Sequence, residues 1–516
     1  MLWRKSQGRF GRHKMTNTEK TERLYALLDE IEAYGRTLGK LNFDMQCCAP
    51  EDGMEQAGKD MALVGMHITD ITHGEEFTGL ITQLHENSEG LAPVQKKLVE
   101  TLWEDYEKEK NLSPEFLYKR DLASNDAYGK WLAAKKAGNW EIFKGALSEN
   151  IKNTRFAVEA RDRKYRTIYD ACLDDNEKGG NERQLDAFFD ALKKRIVPLV
   201  GKIQKEGKEI RSDFLSRPVS ISKQEEFSRY LLELEGLKKS ALVLMTTEHP
   251  FTTNFGREDV RVTTHYHEEN FISNVFTTLH EGGHALFMQN EPDETVMNHM
   301  ADRMTNGMHE CISRFFENII GRSEAFIEFI YPKLRELSGD TFSDVSAREL
   351  YEAVNIAQPG LNRCEADELT YCLHVLIRYE MEKAFVNGEI TVDEIPDVWN
   401  AKYREYLGVE VPNDTEGCLQ DVHWSGWDYG YFPSYALGSA YGAQILRRME
   451  KDFDVFEEVR KGNLIKVSRW LIDNVFSIAS LSTPDEWIRA ITGESLNTDY
   501  FLDYLEGKFT ALYQLS

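Results

Sequence analysis

Five consecutive residues, His280-Glu281-Gly282-Gly283-His284, combine two metal-ligating side chains with a carboxylate. On a helix, His280 and His284 lie one turn apart on one face, with Cβ atoms roughly 5–6 Å apart. Two imidazoles at that spacing bind one zinc ion, and Glu281 then stands beside the attacking water as a general base. The pattern does not suffice alone. With 13 His among 516 residues and roughly one position in ten Glu, H-E-x-x-H arises by chance in about three such chains per hundred.

Its surroundings add weight. Two adjacent glycines inside a helix cost about 1 kcal/mol each relative to Ala, and close approach of a ligand or a neighbouring backbone is the usual compensation. A catalytic zinc site needs a third protein ligand and leaves one position for water. Glu310 follows His284 by 26 residues, room for a helix end, a loop and a second helix. His299, His309, Glu291 and Glu294 compete for the same role, and spacing does not separate them.

The element carrying the histidine pair reads as a helix starting near Asn270 or Ser273 and running past Phe287. Helical periodicity dominates elsewhere too. Leu24, Leu27, Leu28, Ile31, Tyr34 and Leu38 make one apolar stripe at three- and four-residue spacing. Similar stripes run over Val94–Glu109, Trp140–Arg161, Gln184–Ile210 and Ser222–Leu237, while Ser216-Arg217-Pro218 and His249-Pro250 read as helix stops. Asp259–His265 alternates and is rich in β-branched residues, the one convincing strand candidate. No repeat, low-complexity tract or long linker divides the chain. The expectation is a mainly α protein, a large helical body of two lobes around a deep groove, with a small β-sheet near the metal helix. Residues 15–516 are expected to form a single domain, and the basic stretch Met1–Lys14, which lacks an apolar core, a disordered extension.

Composition sets the limits. A net charge of -25, with 41% hydrophobic and 29% charged residues, speaks against nucleic acid and against anionic membranes as partners. No run approaches 18 apolar residues, so no transmembrane helix is expected. Seven cysteines, an odd number without a C-x-x-C pair, fit free thiols in a reducing cytoplasm. Cys311 draws notice because it adjoins Glu310.

Five blocks together resemble the carboxypeptidase Taq family of zinc metallocarboxypeptidases. Asp259-Val-Arg261-Val-Thr263 matches D-x-R-x-T, and His280–His284 is the second block. His309-Glu310 is the third, although Cys311-Ile312 replaces the family's Ser or Gly followed by Gln. Arg363 to Asp367 matches I-R-x-x-A-D, with Asn362 in place of Ile. Gly417 to Trp424 matches G-x-x-Q-D-x-H-W in full. The likeness runs in order from about Pro250 to Gln444 and is looser in the N-terminal half.

The resemblance implies that His280, His284 and Glu310 hold Zn²⁺, with Co²⁺ as a substitute, and that Glu281 is the general base. The tetrahedral oxyanion needs a second electrophile. Helical peptidases with two lobes use a His and a downstream Tyr, which points to His423 and Tyr431, with Tyr435 in reserve. Arg363 is the candidate for the peptide's free carboxylate, since a guanidinium fork binds carboxylate bidentately. An ion pair with Asp367, four residues on, is the competing explanation. Gln420 and Asp421 would position substrate or orient His423. Asp259 and Arg261 suit shaping of the strand edge better than chemistry. The implied activity is release of single residues from peptide C-termini, with broad preference and poor cleavage of C-terminal Pro, by a homodimer. A dipeptidyl carboxypeptidase or oligoendopeptidase shares the metal chemistry. An inactive peptide-binding homologue is the other alternative, against which the intact Glu281 speaks.

Overall fold

The computed structural model describes residues 15–427 and 429–515, and the expected disordered extension at residues 1–14 lies outside them. The described chain is mainly helical, with one three-stranded sheet. It divides into two compact units: Met1–Glu107 with Asp293–Ala301, and Lys108–Pro292 with Asp302–Ser516.

In the first unit, the expected N-terminal stripe forms the helix Asn17–Cys47, opened by a reciprocal cap between Thr16 and Glu19. Its Leu24, Leu27 and Leu28 are buried, as are Phe77, Leu80, Ile81 and Leu84 of the helix Glu75–Glu86. Between them in sequence, Met54–Thr72 buries none of its residues.

The second unit holds the residues singled out for chemistry, except the rival ligands Glu294 and His299, which belong to the first. Three further apolar stripes become the helices Lys144–Ala160, Glu182–Glu206 and Ile221–Glu235. The strand candidate becomes β3 (Val260–Thr264), which pairs in parallel with β1 (Leu242–Thr246) and antiparallel with β2 (Thr252–Asn254). Sequence reading missed β1 and β2. β1 is a short apolar run without alternation, and β2 has only three residues. His249-Pro250 was read as a helix stop, but it lies between these two strands. Thr263 ties the sheet to the loop ahead of β2, its hydroxyl accepting from the Phe251 N–H at 2.7 Å.

Two helices packed on each other carry the site, the first of them also against the sheet. The metal helix spans Phe271–Gln289, capped by Asn270. A second helix, Asn306–Arg314, continues as a π-helical turn over Phe315–Ile320. The two glycines of the metal helix now have a cause. A Cβ on Gly283 would stand 2.8 Å from Ser313 Cα, and one on Gly282 would run into the Glu235 carboxylate. On the far side, Gly438 of the helix Phe432–Met449 meets Glu310, where a Cβ would lie 2.7 Å from the Glu310 Cβ. Small residues on two helices thus let three backbones close around Glu310.

Candidate metal centre

His280, His284 and Glu310 each offer a ligand atom, all within 4.8 Å of one another. Among the described residues they are the one group of His, Cys, Asp and Glu arranged to hold a metal ion. The imidazole centroids are 5.0 Å apart, and Nε2 of His280 lies 3.9 Å from Oε2 of Glu310. That carboxylate oxygen is buried and has no hydrogen-bond partner. The Arg314 guanidinium is its nearest cation, at 3.5 Å, and without a hydrogen bond this buried oxygen costs free energy unless a metal completes it. The donor set fits the nitrogen and oxygen ligands that zinc prefers.

Each imidazole is held from behind. Nδ1 of His280 lies 2.9 Å from Oε2 of Glu317, and Nδ1 of His284 lies 2.7 Å from Nδ1 of His309. Both Nε2 atoms are left for a metal. For His284 to present a lone pair there, its Nδ1–H must donate to His309, whose Nε2–H then faces Asp302 at 3.5 Å. Burial, with His309, His280 and Arg314 nearby, holds the His284 imidazole well below its usual pKa, in the neutral form a metal requires. Burial lowers the His280 value too, but the Glu317 hydrogen bond and surrounding carboxylates outweigh it and raise it to about 9. Burial would raise Glu317, yet His280 draws it down to about 2.

The rival ligands are engaged elsewhere. His309 backs His284, and His299, in the first unit, contacts Glu32 at 2.6 Å. Glu291 accepts the Asp302 N–H. Glu294 is not part of the group that could hold a metal. Cys311 and Ile312, the departures from the family pattern, are buried core residues. Burial pushes the Cys311 thiol up, far from a reactive thiolate.

Glu281 is buried beside the pair. Its Oε2 accepts the Thr252 hydroxyl at 2.6 Å, which also bonds the Glu281 carbonyl at 3.0 Å. Burial raises its pKa against the pull of His280 and Thr252. His280 and Glu281 open onto a cavity of about 560 Å³, with Arg314, Arg363, Tyr371 and Tyr435 on its wall.

The remaining candidates divide by position. Arg363 lines the cavity, but its partner is not Asp367, which instead caps the helix Glu368–Asn387. Arg363 Nε donates to Asp421 Oδ1 at 3.0 Å, and its NH1 donates to the Tyr371 hydroxyl at 3.1 Å. Asp421 is shared with Arg378, whose Nε donates at 2.6 Å. Gln420 accepts from Arg378 at 3.4 Å and is not among the cavity-lining residues. His423 and Tyr431 are also absent from that lining. Both are partly exposed, and the Tyr431 ring lies 5.2 Å from that of Tyr435 on the cavity wall and 5.9 Å from His423. Asn362, the fourth-block departure, accepts the Cys364 N–H and opens the short turn that carries Arg363. Asp259 and Arg261 bond each other at 2.9 and 3.0 Å.

Sequence reading missed Glu317, Arg314, Thr252 and Asp302. Glu310, Arg314 and Glu317 follow an i, i+4, i+7 spacing, one helical face, so two of the four were within reach of periodicity.

The model of the carboxypeptidase Taq (M32) metallopeptidase family matches residues 23–509. Carboxypeptidase 1 of Bacillus subtilis is 37% identical over 494 residues, 95% of this chain and 98% of that protein. Thermostable carboxypeptidase 1 of Thermus thermophilus is 34% identical, over 93% of this chain and 96% of that protein. The structure of Trypanosoma cruzi metallocarboxypeptidase 1 superposes with a TM-score of 0.91 at 30% identity, covering 96% of this chain and 100% of that one. With matches of that extent in sequence and fold, the chain belongs to the carboxypeptidase Taq (M32) family of metallopeptidases and is a metallocarboxypeptidase.

Proposed function

We propose that the protein removes single amino acids from the C-terminus of peptides, using zinc held by His280, His284 and Glu310. The observation that carries this reading is the grouping of Glu310, whose buried Oε2 makes no hydrogen bond, with two back-supported imidazoles. Zinc bound there supplies a Lewis acid and lowers the pKa of water. Glu281 takes the proton of the attacking water and passes it to the departing amine. Thr252 holds its carboxylate in place for both transfers.

Tyr431 and His423 are assigned to the developing oxyanion, with Tyr435 on the cavity wall as the alternative phenol. Burial, reinforced by Arg363 and Arg378 against Asp421, lowers the His423 pKa to about 4. Its imidazole is therefore neutral at neutral pH. Arg363 takes the free carboxylate, and Gln420, through Arg378 and Asp421, sets its position. By resemblance, preference is broad with C-terminal Pro cut poorly, cobalt substitutes for zinc, and the enzyme is a cytoplasmic homodimer. No helix among the described residues is long and apolar enough to cross a membrane.

Metal content and turnover of two variants test the assignment. Glu281→Gln is expected to keep one zinc per chain while losing roughly three orders of magnitude or more in kcat. Glu310→Ala is expected to lose the metal. A Glu310→Ala protein with full zinc would remove Glu310 from the ligand set, and a fast Glu281→Gln enzyme would remove the base.

A further inference from the structure

We infer that Arg314 is a second guanidinium for the substrate's C-terminal carboxylate, acting beside Arg363. The inference rests on the carboxypeptidase reading above and deepens it. Arg314 is 8% exposed and lines the cavity that His280 and Glu281 open onto. Its Nε is buried without a hydrogen-bond partner, and the nearest carboxylate oxygen, Glu310 Oε2, is 3.5 Å away. A buried guanidinium with open donors is costly, and its planar fork matches a carboxylate.

The other two guanidiniums on this wall already make hydrogen bonds, so neither is as open as Arg314. Arg363 donates to Asp421 and Tyr371. Arg322 donates to Asn318 at 3.1 Å and to the Val354 carbonyl at 2.6 Å. Tyr371 joins the two proposed anchors. Arg314 lies over its ring face at 4.0 Å, and Arg363 bonds its hydroxyl. Both guanidiniums therefore bracket one aromatic side chain at one cavity. A carboxylate, with two oxygens and about four lone-pair sites, can accept from both. Once Glu310 ligates a metal, its charge is no longer directed mainly at Arg314, which strengthens the need for a second anion.

The test uses zinc-loaded Glu281→Gln protein, so that peptides bind without turnover. Dissociation constants are measured for a blocked tripeptide as free acid and as C-terminal amide, with zinc content and circular dichroism as controls. Adding Arg314→Gln is expected to weaken the free acid about 10- to 100-fold and the amide less than about 3-fold. Arg314→Lys is expected to recover part of the free-acid affinity. Equal weakening of acid and amide, or loss of zinc, would make Arg314 a structural partner of Glu310 and overturn the inference. Retained preference for the acid in Arg314→Gln, lost only in Arg363→Gln, would overturn it as well. A parent that does not distinguish acid from amide would instead overturn the carboxypeptidase reading itself.

Discussion

His423 lies 3.9 Å from Asp421, yet its Nδ1 is buried without a partner because Arg363 and Arg378 claim that carboxylate. The consequence is a measurable dependence on pH. Its folded pKa, about 4, is below the ordinary 6.5, so the unfolded chain binds the proton first as pH falls. The stability from a neutral His423 is complete above 6.5 and is lost as pH drops toward 4. Between pH 7 and pH 5 the loss is about 2 kcal/mol. Urea midpoints of wild type and His423→Gln at these two pH values check it, because the variant should lose less. Equal losses would show that His423 is not held neutral. At this scale the candidate histidine pair was legible, since His280 and His284 with Glu281 share one helical turn, whereas spacing left Glu310 among several rivals. The pairing of Asp421 with Arg363 and Arg378 was not, because it joins side chains 58 and 43 residues apart.

Around the metal centre, helices approach closely because small residues face each other's backbones. At Gly283 the obstacle is backbone, the absent Cβ meeting Ser313 Cα at 2.8 Å and the Ile312 carbonyl at 2.9 Å. Helix propensity alone would make Gly283→Ala stabilising by about 1 kcal/mol. The clash with backbone, which cannot rotate away as a side chain can, reverses the sign. Destabilisation by about 1–3 kcal/mol is expected, with weaker zinc binding as Glu310 is pushed from the histidines. Chemical denaturation and metal titration of Gly283→Ala test both effects, and a more stable variant with unchanged affinity would contradict the packing argument. The paired glycines were visible in the sequence as an anomaly needing a partner. Which backbone fills the gap was not, since Ser313 comes from a helix 30 residues on. The sheet was half legible for a similar reason. β3 alternates on its own account, whereas β1 and β2 are defined by pairing with it.

Across the molecule, helical content was readable from periodicity. The division into two units was not, because Asp293–Ala301 returns to the first unit without a change in composition that marks a boundary. Within the second unit, the buried Glu281, Glu310 and Arg314 and the half-buried His280 and Glu317 lie close together, and a bound cation would relieve the repulsion among the carboxylates. Stripping the metal should therefore lower the Tm. At free zinc about 1,000 times its Kd, linkage contributes about 4 kcal/mol, and calorimetry with and without chelator should show a fall of several degrees. An unchanged Tm would mean that the folded site does not bind zinc tightly. The most direct measurement is the product spectrum of a blocked pentapeptide digested by zinc-loaded enzyme, read by mass spectrometry beside Glu281→Gln. The expected result is a ladder shortened one residue at a time from the C-terminus, absent in the variant. Released dipeptides, internal cuts, or the same ladder from Glu281→Gln would contradict the account.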